Sequence, residues 1–198
     1  MRVIAISGKA ESGKDTTAQE LKNILEENNK KVMIIHFADV LKFSCQKYFK
    51  WNGEKDTQGR TLLQYVGTEL REKNNPNMWV NITKELIYGF GNEFDYVIIP
   101  DVRFKEEMKM VKDEFNCFSL RIERYDYDES GTPHKHINKL TEEQRAHKSE
   151  TELDLYNFDF VIRNNTTLDE AYNKRLLNLQ CKIILDRIEV YYSEFIQH

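Results

Sequence analysis

The sequence predicts an α/β fold, a doubly wound, mostly parallel sheet with helices on both faces, in one domain of 198 residues. Three observations lead there. Short apolar runs alternate with longer amphipathic stretches, the first of these runs are nearly continuous in Val, Ile and Met, and the stretches between them repeat with helical spacing.

The elements follow in order. "RVIAIS" reads as a strand buried on both faces. "GKDTTAQELKNILEENN" puts Ala18, Leu21, Ile24 and Leu25 on one helical face. "KVMIIHF" is the second strand and "DYVIIP" the third. Between them, residues 51 to 92 carry helical patterning around "RTLLQYVGTELREK" and are too long for one crossover, so they form an insertion. "CFSLRIER" is the fourth strand. Residues 125 to 157 are polar and charged and contain Gly and Pro, which predicts a surface excursion of the kind that serves as a mobile lid. "FDFVIRN" is the fifth strand, and "LDEAYNKRLLNLQCKIILDRIEVYY" closes the chain as a long amphipathic helix.

Charged residues make up 31% of the chain and the formal net charge is -4, with basic residues dispersed. That balance argues against partners such as duplex nucleic acid or an anionic membrane. Cys45, Cys117 and Cys181 are odd in number and far apart, which fits reduced thiols better than a disulfide framework or a zinc site. "RVIAISG" follows Met1 directly with no signal-like apolar segment, so the expected location is cytoplasmic.

Function enters through "GKAESGKD", in which Gly8 is followed after four residues by Gly13 and Lys14. The loop leaves a buried strand and opens a helix, the context a phosphate-cradling loop requires. Glycines let backbone N–H groups converge on phosphate oxygens, and the helix N-terminus adds partial positive charge. The expected nucleotide-binding residues are Gly8, Lys9, Ala10, Glu11, Ser12, Gly13, Lys14, Asp15 and Thr16, with Lys14 reaching the β- and γ-phosphates. Asp15 stands where a hydroxyl usually holds Mg²⁺, and its carboxylate is itself a hard ligand for that ion, directly or through water. Thr16 and Thr17 supply hydroxyls one position late, and an acidic residue also suits a first helical turn for purely structural reasons. Asp101 ends "YVIIP", placing a second carboxylate at the C-terminal edge of a strand, where it can hold Mg²⁺ or its water.

Together with "RTLLQYVGTELREKNNPNMWV", "VIIPDVRFKEE" and "HKSETELDLYNFDFVIRNNTTLDE", the "GKDT" form resembles the bacteriophage-type deoxynucleoside monophosphate kinases, P-loop enzymes related to adenylate kinase. The resemblance implies a three-layer fold of the nucleoside monophosphate (NMP) kinase type, with a five-stranded sheet, an NMP-binding insertion at 51–92 and a lid at 125–157. It implies ATP and Mg²⁺ as cofactors and a deoxynucleoside monophosphate (dNMP) as acceptor. That family, like phosphomevalonate kinases, tolerates Asp after the loop lysine. Arg103, two residues past Asp101, adjoins both phosphates in the resembling family.

An acceptor monophosphate needs cations of its own, because two polyanions must approach without repelling one another. Lys42, Arg60 and Arg71 are the candidates, with Gln64 and Thr68 one helical turn apart between the two arginines. The resemblance makes this the acceptor segment and puts Trp79 near the base. Arg121 and Arg124 are expected to run out of the fourth strand into the lid, from which Arg145, His147 and Lys148 return, and such arginines neutralise charge during transfer. Asn164 and Thr166 correspond to the loop that packs on adenine, where Thr166 or Thr167 is also a natural helix cap.

The expected activity is phosphorylation of deoxynucleoside monophosphates. Alternatives are another P-loop small-molecule kinase, of the phosphomevalonate or dephospho-coenzyme A type, or a nucleotide-binding module without catalysis. A GTPase switch would want Asn-Lys-x-Asp where this chain has "RNNTTLDE". Family members can be homodimers, but no apolar stripe here demands it.

Overall fold

Val3, Ala5, Ile4 and Ile6 of the first apolar run are wholly buried, and the sheet is built around them. The computed structural model describes residues 1–115, 117–128, 130–167 and 169–195. Glu129, inside the expected lid, and Leu168, first residue of the expected last helix, lie outside the described residues.

β1 (Arg2–Gly8) pairs in parallel with β3 (Tyr96–Ile99) on one side and β4 (Phe118–Tyr127) on the other. β2 (Val32–Ile34) extends the sheet beyond β3, and β6 (Phe160–Thr166) extends it beyond β4, both in parallel. These are the five expected strands. A sixth, β5 (Pro133–Lys135), lies antiparallel to the end of β4 inside residues 125 to 157. Its three residues are exposed, so it presents no apolar run in the sequence.

Because successive strand side chains point to opposite faces, a continuously apolar strand needs a cover on each side. Ile4 and Ile6 join Ile98, Leu120, Ile122 and Ile162 beneath α1 (Lys14–Glu27) and α9 (Glu170–Phe195). The helical face Ala18, Leu21, Ile24, Leu25 is the part of α1 that closes this layer. Val3 and Ala5 join Val97 and Ile99 on the other face, beneath α5 (Met78–Phe90) and α6 (Lys105–Phe115). No described helix is long and apolar enough to cross a membrane, and all three cysteines are buried and free.

The insertion has a small core of its own. Leu41 and Cys45 of α2 (Ala38–Phe49) pack with Trp51, Val66 and Trp79. Asp56 caps α3 (Thr57–Gln64) by accepting from the Gly59 amide, and the chain continues through a π-helical turn, Tyr65–Glu69, into α4 (Leu70–Asn74). In the lid segment, a reciprocal Thr141–Gln144 capping box opens α7 (Glu142–Ala146), and α8 (Lys148–Thr151) follows directly.

This packing leaves β1 intolerant of a cavity. Ile4→Ala is expected to cost about 2 to 5 kcal/mol of unfolding free energy, read by urea denaturation with both variants compared at equal m-value. A loss within about 0.5 kcal/mol, the range of ordinary surface changes, would contradict the two-sided burial of β1.

Candidate functional site

β1 delivers the chain into the phosphate loop, and two glycines are needed there. A β-carbon at position 8 would lie 2.5 Å from Ser12 Oγ and 2.8 Å from the Ile122 carbonyl oxygen. Gly13 has φ of +96° and leaves no room either, since a β-carbon would meet Asn164 Nδ2 at 2.3 Å. As the residue before α1, Gly13 offers no side-chain acceptor, so the first-turn amides are not capped by it. Asn164 Nδ2 donates to the Ser12 carbonyl (2.8 Å), tying β6 to the loop. At the start of α9 it is Thr167 and not Thr166 that bonds locally, to Asn173 Oδ1.

Lys14 is buried and curls back on the loop, donating to the carbonyls of Gly8 (2.8 Å) and Lys9 (2.7 Å). Burial and then the Arg103 charge depress its pKa to about 7, against the opposing pull of Glu150, Asp15 and Asp101. An anion arriving there is met by an ammonium short of counter-charge.

Asp15 is exposed in the first turn of α1, with Oδ1 3.2 Å from His36 Nε2. That hydrogen bond holds its carboxyl below the usual range, burial opposing and the charges of His36 and Lys14 assisting. Thr17 Oγ1 is spent on the Gly13 carbonyl (2.9 Å), which leaves Thr16 as the exposed hydroxyl of this turn. Asp101 accepts from the amides of Phe37 (2.9 Å) and Ala38 (3.0 Å), docking the N-terminus of α2 at the edge of β3.

Arg103 donates through Nη1 to the Ser149 carbonyl (3.2 Å) and to Glu150 Oε1, while Glu150 Oε2 accepts from the Ala10 amide (2.9 Å). Lys9 Nζ bonds the Glu150 carbonyl and Asp154 Oδ2, the latter at 2.6 Å. The returning end of the lid segment is therefore a wall of the phosphate loop. Arg121 differs from its expected place on the lid: β4 registers it opposite Ser7, and its guanidinium bonds Ser7 Oγ (3.3 Å) and Asp154 Oδ1 (2.9 Å). Arg124 does reach the loop, donating to the Glu11 carbonyl (3.1 Å). Arg145 is exposed, with Nη1 on the Asn138 carbonyl (3.2 Å).

A cavity of about 380 Å³ lies between the loop and the insertion. Lys14, Asp15, Asp101 and Arg103 line one side, and Lys42, Arg60, Gln64, Thr68 and Trp79 the other. Arg71 is buried just behind this lining, its guanidinium 4.6 Å from the ring of Phe104, which faces the cavity. Among the described residues its Nε and Nη1 have no hydrogen-bond partner, and neither has Trp79 Nε1. The nearest carboxylate is a weak one, Glu72 at 3.9 Å. Buried guanidinium nitrogens left unpaired are costly.

Four titratable lining residues escaped the sequence reading: His36, Lys55, Glu107 and Glu150. His36 had the signal of ending the second apolar run, and Glu107 that of an acidic residue in the first turn of a helix. Glu107 accepts from the amides of Arg103 (2.7 Å) and Phe104 (3.1 Å). Burial above all, reinforced by the Asp101 charge, lifts its carboxyl from 4.5 to about 8, although the two amides and Arg71 pull the other way.

A family model described as deoxynucleotide monophosphate kinase matches residues 19–175. The chain belongs to this family. The match begins after the phosphate loop, so loop geometry and family membership are independent observations, and together they make the protein a kinase, a phosphoryl transferase. No curated protein matches the sequence. Among solved structures, a cysteine-to-alanine mutant of the Mycobacterium tuberculosis APS kinase CysC is 13% identical, with a TM-score of 0.42, covering 95% of this chain and 96% of its own. The same enzyme in complex with AMPPNP and APS is 12% identical, also with a TM-score of 0.42, covering 95% and 97%. Likenesses of this degree add nothing to the assignment.

Glu107 gives the kinase a distinctive pH dependence. Between pH 4.5 and about 8 the folded chain binds this proton more tightly than the unfolded chain, so its contribution to stability is full below that window and is lost as pH rises through it. Glu107→Gln keeps an acceptor for both amides and removes the titration. The wild type minus Glu107→Gln difference in unfolding free energy, followed by denaturant melts from pH 5 to about 8.5, is expected to fall as pH rises. A flat difference would mean that Glu107 is ionised throughout.

Proposed function

We propose that this kinase transfers the γ-phosphoryl group of ATP directly to the phosphate of a deoxynucleoside monophosphate, releasing ADP and the deoxynucleoside diphosphate. The observation that carries the reading is Arg71, a buried guanidinium with two unpaired nitrogens beside a cavity whose opposite wall is the phosphate loop. A donor loop alone would serve a nucleotide-binding module. A second set of cations, Lys42, Lys55, Arg60 and Arg71, facing or backing the same cavity, is what a phosphorylated acceptor requires. The family match favours a deoxynucleotide over the phosphomevalonate and dephospho-coenzyme A alternatives.

Each side chain then has a role that its position suits. The loop amides and Lys14 hold the donor phosphates. Lys42, Arg60 and Arg71 hold the acceptor phosphate, while Gln64, Thr68 and Trp79 line the space for its nucleoside. Arg103 sits between the two groups of cations, where charge passes from donor to acceptor. Asp15 and Asp101 present hard oxygen donors at the junction of α1 and the edge of β3, a set that fits Mg²⁺, which is commonly bound by one or two carboxylates plus substrate phosphates. When bound, that ion neutralises charge on the phosphate oxygens. Arg124 is held on the loop by the Glu11 carbonyl, Arg121 bonds Ser7 and Asp154, and Arg145 bonds the Asn138 carbonyl. ATP and a small acceptor are the only partners this reading requires, and a cytoplasmic location suits both.

Arg71→Ala is expected to raise KM for the acceptor by about 10- to 100-fold, the size of a lost charge-assisted contact, while binding of an ATP analogue hardly changes. Arg71→Lys rescues only in part, because a point charge does not reproduce a two-pronged grip on phosphate. Equal weakening of both ligands, or of neither, would contradict the assignment. Lys14→Ala is expected to lower kcat by about 10²- to 10³-fold in a folded protein. Unchanged turnover would remove the donor loop from the mechanism.

A further inference from the structure

Glu11 is a loop residue whose side chain reaches both the insertion and the lid segment. It sits in the loop with φ of +64°, a left-handed conformation that is unfavourable for a residue bearing a β-carbon and not for glycine. A glutamate kept there points to a task for its side chain. Its two carboxylate oxygens face different parts of the molecule. Oε1 lies 3.6 Å from Arg60 Nη2, in the insertion. Oε2 accepts from the Lys139 amide (3.2 Å) and lies 3.5 Å from His136 Nε2, both in the lid segment. The carbonyl of Glu11 is itself held by Arg124. The insertion and lid also touch directly, since Gln144 Nε2 donates to the Thr57 carbonyl (3.3 Å) and Lys148 pairs with Glu72 (2.7 Å).

We infer that Glu11 is a positioning residue, a clasp on the phosphate loop that holds Arg60 over the acceptor cavity and holds the lid segment onto the insertion. It acts on the acceptor through Arg60, whose Nε is fixed independently by the Lys55 carbonyl (2.9 Å). One carboxylate thus links the donor loop to both elements that enclose the acceptor. The role in catalysis rests on the proposed kinase reading, but the clasp itself does not.

Two substitutions separate the side chain from the backbone. Glu11→Gly suits the left-handed conformation and removes the carboxylate, and Glu11→Gln keeps hydrogen-bonding capacity without the charge. Hydrogen exchange in the unliganded full-length protein is the first readout. Amides in residues 57–64 and 133–140 are expected to exchange about 5-fold faster in Glu11→Gly and by a smaller factor in Glu11→Gln, with β1 and β3 unchanged. Exchange at wild-type rates in both segments of both variants would overturn the clasp, whether or not the protein proves to be a deoxynucleotide kinase. The second readout is kinetic: KM for the acceptor is expected to rise about 5- to 10-fold in Glu11→Gly, with partial recovery in Glu11→Gln and little change in KM for ATP. A rise confined to KM for ATP would assign Glu11 to the donor loop alone and contradict the inference.

Discussion

The arrangement of this site depends on one buried carboxylate. Glu150 accepts from the Ala10 amide on the phosphate loop and from Arg103 beyond the edge of β3, while its own backbone carbonyl receives Lys9. Three segments distant in sequence meet on that side chain. Burial alone would push its carboxyl up, yet the Arg103 charge and the Ala10 amide outweigh it and keep the group below its ordinary range. A buried charge is tolerated only when paired and hydrogen-bonded in this way. Removing Glu150 would leave Arg103 without its ion-pair partner and close to a second cation, Lys14.

From that contact the charge layout follows. A chain of formal net charge -4 cannot attract polyanions by its overall field, so the cations must be concentrated and desolvated locally. Lys14, depressed to about 7 by burial and by Arg103, and Arg71, buried with unpaired nitrogens, are the two extremes of that strategy. Both are costly in the free protein, and the proposed anionic ligands would make them favourable. The carboxylates of Asp15, Asp101 and Glu150 lie among these cations and offset part of their charge.

Much of the fold was legible in the sequence because a strand buried on both faces has no alternative to a continuous apolar run. "RVIAIS" and "DYVIIP" could hardly be read otherwise, and the face of α1 was visible in Ala18, Leu21, Ile24 and Leu25. β5 was not legible, because its exposed polar residues are ordered by pairing with β4 and not by burial. The loop was readable because its chemistry is local. Glu150 was not, since the amide it satisfies lies 140 residues away and no local pattern announces it. The contacts of Arg121 were not legible for a related reason: strand alternation sends it to a face, but only the register with Ser7 and the position of Asp154 decide what it meets there. The acceptor residues occupy an intermediate position. Gln64 and Thr68 share a helical face by simple spacing, whereas the burial of Arg71 against Phe104 depends on how the π-helical turn Tyr65–Glu69 leads into α4.

The central claim is that the cavity between the loop and the insertion brings a donor triphosphate and an acceptor monophosphate together. The most direct test is to incubate the wild-type protein with ATP and Mg²⁺ and each deoxynucleoside and ribonucleoside monophosphate in turn, identifying products by phosphorus NMR. The account predicts that ADP and a deoxynucleoside diphosphate appear in equal amounts with at least one acceptor, and that ATP is stable when no acceptor is added. Conversion of ATP to ADP and free phosphate without any nucleoside diphosphate from the acceptor, or no conversion with every acceptor in the panel, would contradict it.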